Sequence, residues 1–167
     1  MHRGRIELSE YRFTGGCQCG AVRYAFTEPL ADAHVCHCRM CQKAVGAPFA
    51  IFVPVWKPSF SFTRGKPAEF HSSEMVRRGF CSACGTPLTF DEGDDGIGVL
   101  VGTLDERERI QPTIQCGVES RVSWFDKLST LPGDIVTYAD DPEKRDRIIA
   151  TSRQHPDHDT AVWPPAD

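Results

Sequence analysis

The sequence lacks the features that mark several large classes of protein. No apolar run reaches the roughly 20 residues that a membrane-spanning helix needs, and the basic residues at the start precede no apolar signal-peptide core. Positive charge is in the minority, with 19 Lys and Arg against 23 Asp and Glu and a net charge of −4, so no basic surface for nucleic acid is indicated. We therefore expect a cytoplasmic protein that binds neither a membrane nor a nucleic acid.

The sequence also lacks internal repeats and any sign of a second domain. Its 167 residues are enough for one domain with a buried core. The acidic stretch 91–96 lacks the alternating oxygen ligands and the distal glutamate of a calcium loop, so we interpret it as a solvated turn. We predict a flexible lead over residues 1–15, a single domain over residues 16–154 and a loose tail over residues 155–167.

Cysteine, by contrast, is plentiful, and seven of the eight cysteines fall in three clusters. In chain order the clusters are Cys17/Cys19, Cys36/Cys38/Cys41 and Cys81/Cys84. Zinc prefers thiolate and imidazole ligands, and a Cys-x-Cys or Cys-x-x-Cys turn brings two sulfurs to one ion with little backbone strain. Disulfides are the alternative, but residues i and i+2 of an extended chain lie about 6.5–7 Å apart, at or beyond the limit for a disulfide. The expected reducing compartment also favours metal binding.

A glycine follows the second cysteine of each pair, Gly20 in one case and Gly85 in the other, whereas Gln42 follows the triplet. Glycine lets the backbone turn back tightly around a metal ion. This shared ending indicates that the two pairs build one site together, and four cysteines are enough for a closed structural zinc site. We therefore predict a structural zinc held by Cys17, Cys19, Cys81 and Cys84.

The triplet is one ligand short of a closed tetrahedral site. Because chemistry usually takes place at an unfilled zinc position, we predict that Cys36, Cys38 and Cys41 hold a second, reactive zinc. The alternative is a second closed structural site, completed by Cys116 or by a histidine. We expect Cys116 to be a core residue, because it lies in an apolar strand context. We expect His37 to point away from the metal, as an acid–base group or a surface residue, because side chains alternate along an extended segment.

Alternating apolar and polar residues predict a domain rich in β-structure. Strands are expected at 21–27, 33–36, 49–55, 60–62, 76–80, 87–90, 97–104 and 113–118. A short helical turn is expected at 39–45. A helix should begin at Asp141, where a capping aspartate is followed by Pro142 and Glu143. The sequence thus predicts a mainly β fold with one late helix.

The motifs around the cysteines resemble those of the glutathione-dependent formaldehyde-activating enzyme family, which also includes centromere protein V. They are Gly-Cys-x-Cys-Gly at 16–20, Cys-His-Cys-x-x-Cys at 36–41, Gly-Ala-Pro-Phe at 46–49 and Arg-Gly-Phe-Cys-x-x-Cys-Gly-Thr-Pro-Leu at 78–88. Segments 118–121, 124–126 and 131–132 resemble the family's later signature. The resemblance runs from about Gly15 to Tyr138 and implies a "β-tent" of small sheets organised around the four-cysteine zinc.

The family's name reaction joins glutathione to formaldehyde to give S-(hydroxymethyl)glutathione, and it is classed as a carbon–sulfur lyase in the reverse sense. The resemblance therefore implies two zinc ions per chain, with the triplet zinc delivering a deprotonated, positioned thiolate to formaldehyde or another small aldehyde. Glutathione's carboxylates would then need basic partners, for which Arg39, Lys43 and Arg121 are the candidates. Gln115 stands where family members often carry a histidine.

A non-catalytic, zinc-stabilised binding module of the same fold is the alternative function, as the centromere-protein relative illustrates. A long basic or low-complexity extension would favour that alternative, and the sequence contains neither. We therefore expect an enzyme, a carbon–sulfur lyase of the glutathione-dependent formaldehyde-activating type.

Overall fold

A computed structural model describes residues 12–133 and 136–162 of the chain, and the fold is mainly β. The strands are β1 (Phe13–Gly16), β2 (Arg23–Phe26), β3 (Ala33–Cys36), β4 (Ala50–Trp56), β5 (Phe60–Arg64), β6 (Ala68–His71), β7 (Arg77–Phe80), β8 (Pro87–Asp91), β9 (Gly96–Leu100) and β10 (Pro112–Cys116). The helices are α1 (Arg39–Val45) and α2 (Pro142–Ala150). Short 3-10 segments lie at Lys57–Ser59, Val101–Thr103, Arg107–Arg109, Val118–Ser120 and Phe125–Thr130.

The strands form two sheets. The smaller sheet has the order β1-β2-β5, and the larger has the order β10-β3-β4-β9-β8-β7-β6. Paired strands are antiparallel except β10, which runs parallel to β3 and places Cys116 opposite Cys36. The triplet therefore lies near the β10 edge of the larger sheet, whereas the turn that carries Cys81 joins β7 to β8 near the other edge.

The main core lies between the two sheets. Phe26 of the smaller sheet and Val53 and Val55 of the larger one are fully buried in it, and each such side chain contributes about 1.5–3 kcal/mol. Cys17 and Cys81 belong to the same cluster, so the four-cysteine group is part of the main core. The buried members of the triplet belong to a second, smaller cluster made of Cys36, Cys41, Ala50, Phe52 and Leu100.

Both predicted helical segments are confirmed. Helix α1 spans the predicted residues 39–45. Helix α2 begins directly after Asp141, whose carboxylate accepts a hydrogen bond from the backbone N–H of Lys144 at 3.0 Å, as expected of a cap. None of the described helices combines the length and the hydropathy that crossing a membrane would require.

The predicted flexible lead is too long, because β1 begins at Phe13 and pairs with β2. Strand β1 ends in two glycines, Gly15 and Gly16, so it has no alternating apolar pattern from which a strand could be predicted. A Cβ atom on Gly15 would lie 2.4 Å from the Tyr24 hydroxyl oxygen, so glycine here permits close packing rather than flexibility. The rest of the predicted lead, residues 1–11, lies outside the described residues.

The predicted loose tail contacts the domain at several of its described residues, although most of them are exposed. His155 is buried, and the Asp159 carboxylate accepts a hydrogen bond from the Arg23 guanidinium at 2.7 Å. The aspartates of this segment led to the prediction of a loose tail, but Asp159 pairs with the buried Arg23 of β2. Residues 163–167 lie outside the described residues, and the limits of a single domain remain a prediction.

Candidate metal centres and active site

The four-cysteine site is assembled from two turns that are distant in sequence. Cys17 and Cys19 come from the turn between β1 and β2, and Cys81 and Cys84 come from the turn between β7 and β8. Gly20 and Gly85 adopt φ angles of +73° and +76°, the left-handed conformation in which glycine lets the backbone turn back tightly. The four ligand atoms all lie within 4.8 Å of one another, so the predicted grouping is confirmed.

The spacing of these sulfurs fits a tetrahedral zinc ion. Sulfurs bonded to zinc at about 2.3 Å would be about 3.8 Å apart along the edges of the tetrahedron. The Sγ atom of Cys19 lies 3.6 Å from that of Cys17 and 3.8 Å from that of Cys81. Burial raises the pKa of Cys17 to about 12, so this thiol needs a nearby cation to become the thiolate that binds metal.

The triplet is built at the junction of β3 and α1. Cys36 ends the strand, Cys38 is the N-cap of the helix, and Cys41 lies in its first turn. The Cys38 sulfur accepts a hydrogen bond from the backbone N–H of Cys41 at 3.4 Å, which satisfies one of the free donors at the helix start. The three sulfurs lie within 4.8 Å of one another and could supply three ligands to one metal ion.

Burial sets the protonation of the triplet. It raises the pKa of Cys36 to about 11 and that of Cys41 to about 12. For Cys38 burial acts in the same direction, but hydrogen bonds from the Cys41 backbone and from the other two cysteines outweigh it and lower its pKa. Two of the three sulfurs therefore hold their protons at neutral pH unless a cation is bound beside them.

The buried Arg78 of β7 contacts the triplet, an interaction that we did not predict from the sequence. Its guanidinium donates from Nη2 to the Cys41 sulfur at 3.6 Å and from Nε to the Ser72 hydroxyl at 3.1 Å. It also lies 4.9 Å from the centre of the Phe90 ring, and the residue is buried. Arg78 opposes the effect of burial on the pKa of Cys41, the offsetting role that positive charge plays beside thiolates.

A cavity of about 430 Å³ opens beside the triplet. All three triplet cysteines line it, together with Cys116. Its apolar wall is formed by Leu30, Met40, Phe52, Pro54, Val76, Phe90 and Ile97. A volume of this size suits a small molecule, so the triplet faces a space in which a substrate could lie.

The three basic residues predicted to bind glutathione lie outside this cavity. The exposed Arg39 donates to the side-chain oxygen of Gln42 at 3.1 Å and, with Lys43, lines a neighbouring cavity of about 340 Å³. Arg121 forms an ion pair with Asp126 at 3.3 Å. Their role in substrate binding stays a prediction.

The prediction that Cys116 is a core residue is wrong. All five residues of β10 are exposed, because this strand forms an edge of the larger sheet. Cys116 lies opposite Cys36 in the parallel pairing, and the thiol of Cys116 interacts with that of Cys36. The eighth cysteine is thus a neighbour of the triplet, although it is not part of the group whose sulfurs lie within 4.8 Å.

His37 and Gln42 hold the triplet in place on the side that faces away from the cavity. His37 is fully buried, so a surface position is excluded, and its Nε2 lies 2.9 Å from the side-chain oxygen of Gln115. The buried Gln42 donates from its amide nitrogen to the His37 carbonyl at 2.6 Å and to the Ser120 carbonyl at 3.0 Å. The loop that carries the cysteines is therefore fastened to β10 and to the segment that follows it.

Comparison with known proteins agrees with this arrangement. The sequence profile of a family described as "Glutathione-dependent formaldehyde-activating enzyme" matches residues 12–120, a span that contains all seven clustered cysteines. A crystal structure of a Rhodobacter sphaeroides protein, a structural-genomics target, is similar in fold with a TM-score of 0.51. The sequences are 25% identical, and the similarity covers 61% of this chain and 98% of that one.

Proposed function

Because the chain belongs to the glutathione-dependent formaldehyde-activating enzyme family, we propose that it joins a thiol to a small aldehyde. The thiol would be glutathione or a related molecule, and the aldehyde would be formaldehyde or another small carbonyl compound. In the reverse sense this is a carbon–sulfur lyase reaction. The observation that carries the proposal is the triplet itself, whose three clustered sulfurs face an open cavity.

The donor set of the triplet suits zinc, which favours thiolate ligands and tetrahedral geometry. Zinc held there would supply the positive charge that keeps an added thiol deprotonated and positioned beside the aldehyde. Within the described residues, no fourth histidine, cysteine or carboxylate joins the three sulfurs within 4.8 Å. The added thiol could therefore occupy the remaining position.

The chain's own residues would then orient the reactants. Cys36, Cys38 and Cys41 would hold the metal at the cavity wall, and Arg78, which donates to Cys41, would offset the negative charge of the thiolates. The apolar wall keeps water away from the aldehyde, and holding the two reactants together removes the entropic cost of their meeting. The thiolate sulfur bonds to the carbonyl carbon, the π electron pair moves to the carbonyl oxygen, and that oxygen takes up a proton from solvent in place of the one that the thiol released on binding.

Cobalt substitution tests this proposal directly. Bands from thiolate–cobalt charge transfer strengthen as sulfur ligands are added, whereas zinc has no such bands. We expect glutathione to intensify the bands and to release a proton on binding. The analogue with serine in place of the cysteine is the control and should do neither. Because formaldehyde and glutathione also combine without a catalyst, the readout is a rate: metal-loaded protein should speed the exchange between the carbon-13 signals of formaldehyde and of the S-hydroxymethyl product, and metal-free protein should not.

Bands that no thiol changes, in protein shown to hold two metal ions, would contradict the proposal. The variant Cys116→Ser identifies the cause, because Cys116 is the neighbouring group that could close the fourth position. If glutathione changed the bands only in Cys116→Ser, the native site would be closed. The alternative function, a zinc-stabilised binding module without turnover, would then be favoured.

A further inference from the structure

The charges around the triplet cavity are unsuited to an anionic thiol. The charged residues that line it, among those that the structure describes, are Arg78, Glu92 and Asp94. Glu92 and Asp94 are exposed and lie in the turn between β8 and β9, where the cavity meets solvent. Two carboxylates, those of Glu92 and Asp94, therefore lie at the open edge of the cavity, and one cation, Arg78, lies inside it.

That cation is already engaged. Arg78 is only 9% exposed, and its guanidinium donates to the Cys41 sulfur and the Ser72 hydroxyl while it packs on the Phe90 ring. Bringing a substrate carboxylate to Arg78 would compete with its interaction with Cys41. The cavity thus offers an anionic substituent no uncommitted lysine or arginine among the described residues, and His34 is the imidazole that also lines it.

Neighbouring cations neutralise the acidic edge only in part. Lys57 and Arg77, the basic residues paired with this turn, both contact the Asp91 carboxylate, at 2.7 Å and 2.8 Å, and the Lys57 ammonium also donates to the backbone carbonyl of Asp94. The Asp94 carboxylate accepts a hydrogen bond from the backbone N–H of Gly96 at 2.9 Å. Neither Glu92 nor Asp94 forms an ion pair with a side chain in the described part of the chain. Their negative charge is left for a ligand.

Between the acidic edge and the triplet lies an apolar surface. Phe52, Pro54, Phe90 and Ile97 line the cavity and provide methyl, methylene and ring contacts rather than hydrogen-bond donors. A peptide such as glutathione would place its amide groups against this surface without partners, which costs binding free energy. A thiol with an aliphatic body has no amide groups to leave without partners, so it would lose no binding free energy in this way.

We propose that the thiol taken by this site is an aminothiol, with its sulfur at the triplet, its aliphatic body along the apolar wall and its ammonium group beside Glu92 and Asp94. This inference rests on the proposed function, because it assumes that a thiol occupies the fourth position. It narrows that function from thiols in general to those of positive charge. Glutathione would still bind through its sulfur, but more weakly than an aminothiol of suitable length.

The test is a titration of the cobalt-substituted protein with thiols that differ in charge. Cysteamine is compared with 3-mercaptopropionate, 6-aminohexanethiol is compared with 6-mercaptohexanoate, and 2-mercaptoethanol serves as the neutral reference. The two chain lengths show where along the cavity the charge is recognised. We expect the cationic member of a pair to bind more tightly, and raising the salt concentration should reduce the difference.

Variants separate the effect of the cavity from the different acidities of the thiols. In Glu92→Gln and Asp94→Asn we expect the cation-to-anion preference to fall by up to about fivefold each, as for an exposed ion pair. The asparagine side chain still offers an oxygen to the Gly96 N–H. The control is Asp95→Asn, which removes the same charge from an adjacent exposed residue that does not line the cavity. Binding of 2-mercaptoethanol should be the same in all of them.

Two results would overturn the inference in distinguishable ways. If the thiols bind but the preference is the same in wild type, Glu92→Gln and Asp94→Asn, the cavity does not select an aminothiol, and the proposed function stands. If no thiol of any charge changes the cobalt bands, the proposed function fails and the inference falls with it.

Discussion

The two metal sites should differ sharply in what they contribute to folding. Cys81 is only 1% exposed and sits in the main core, and a metal bound there ties together turns whose cysteines, Cys19 and Cys81, are 62 positions apart. Holding a loop of that length closed is worth about 4 kcal/mol in a chain-entropy estimate. The triplet closes a loop of only a few residues, so its contribution is about 2 kcal/mol smaller. The variants Cys81→Ser and Cys38→Ser compare the two directly.

Cys81→Ser should be insoluble or should melt without cooperativity. A structural zinc contributes about 10–16 kcal/mol of apparent binding energy, as much as the whole stability of a typical domain. Cys38→Ser should melt cooperatively near the wild-type temperature, because serine is itself a good N-cap and can still accept from the Cys41 backbone. It should lose one of two zinc ions and all activity.

The assay is zinc content together with a thermal melt followed by circular dichroism, on each variant and on the wild type. A soluble, cooperatively melting Cys81→Ser protein would contradict the structural role of the four-cysteine site. If Cys38→Ser unfolded as readily as Cys81→Ser, the triplet would itself be a structural site. The catalytic interpretation would then fail.

Two further predictions concern buried charge. The variant Arg78→Met should bind zinc at the triplet about tenfold more weakly or worse, because a hydrogen bond to a charged group is worth about 1.5–3 kcal/mol. Chelator competition measures the zinc affinity, and equal affinities in wild type and variant would refute this prediction. Burial raises the pKa of Asp105, but hydrogen bonds from Arg23 and Thr14 outweigh this effect and lower that pKa. The contribution of the Asp105 carboxylate to stability should therefore be complete above its unfolded pKa of about 3.9 and be lost as the pH falls. Denaturant unfolding should show Asp105→Asn destabilised by on the order of 3 kcal/mol at pH 7 and by progressively less in acid, and a pH-independent difference would refute the assignment.

The cysteine grouping could be predicted because it depends on local features. A glycine after the second cysteine of each pair marks a tight turn, and both glycines adopt the left-handed conformation that closes it. The start of α2 was equally local, since Asp141 and Pro142 are adjacent residues with fixed positions at a helix terminus. Such features need no knowledge of what lies across the fold.

The partners of the triplet could not be predicted in the same way. Arg78 reaches Cys41 from a strand 37 positions away in sequence, and nothing local distinguishes it from Arg77, which turns outward to Asp91. Arg39, which the sequence offers as a candidate partner for glutathione, is exposed, and its guanidinium contacts Gln42. Which of several arginines meets the buried Cys41 sulfur is decided by the pairing of strands, and that is a property of the whole sheet.

Gln115 in β10 occupies the place where family members often carry a histidine. Its position indicates that it supports the cysteine loop and does not contact a molecule bound in the cavity. Side chains alternate along a strand, so adjacent residues face opposite ways. Cys116 lines the cavity, whereas Gln115 contacts the ring nitrogen of His37 behind the triplet. A histidine in place of Gln115 would therefore meet His37 rather than line the cavity. Changes at Gln115 should alter how firmly the cysteine loop is held, and the choice of thiol should depend on the residues that line the cavity.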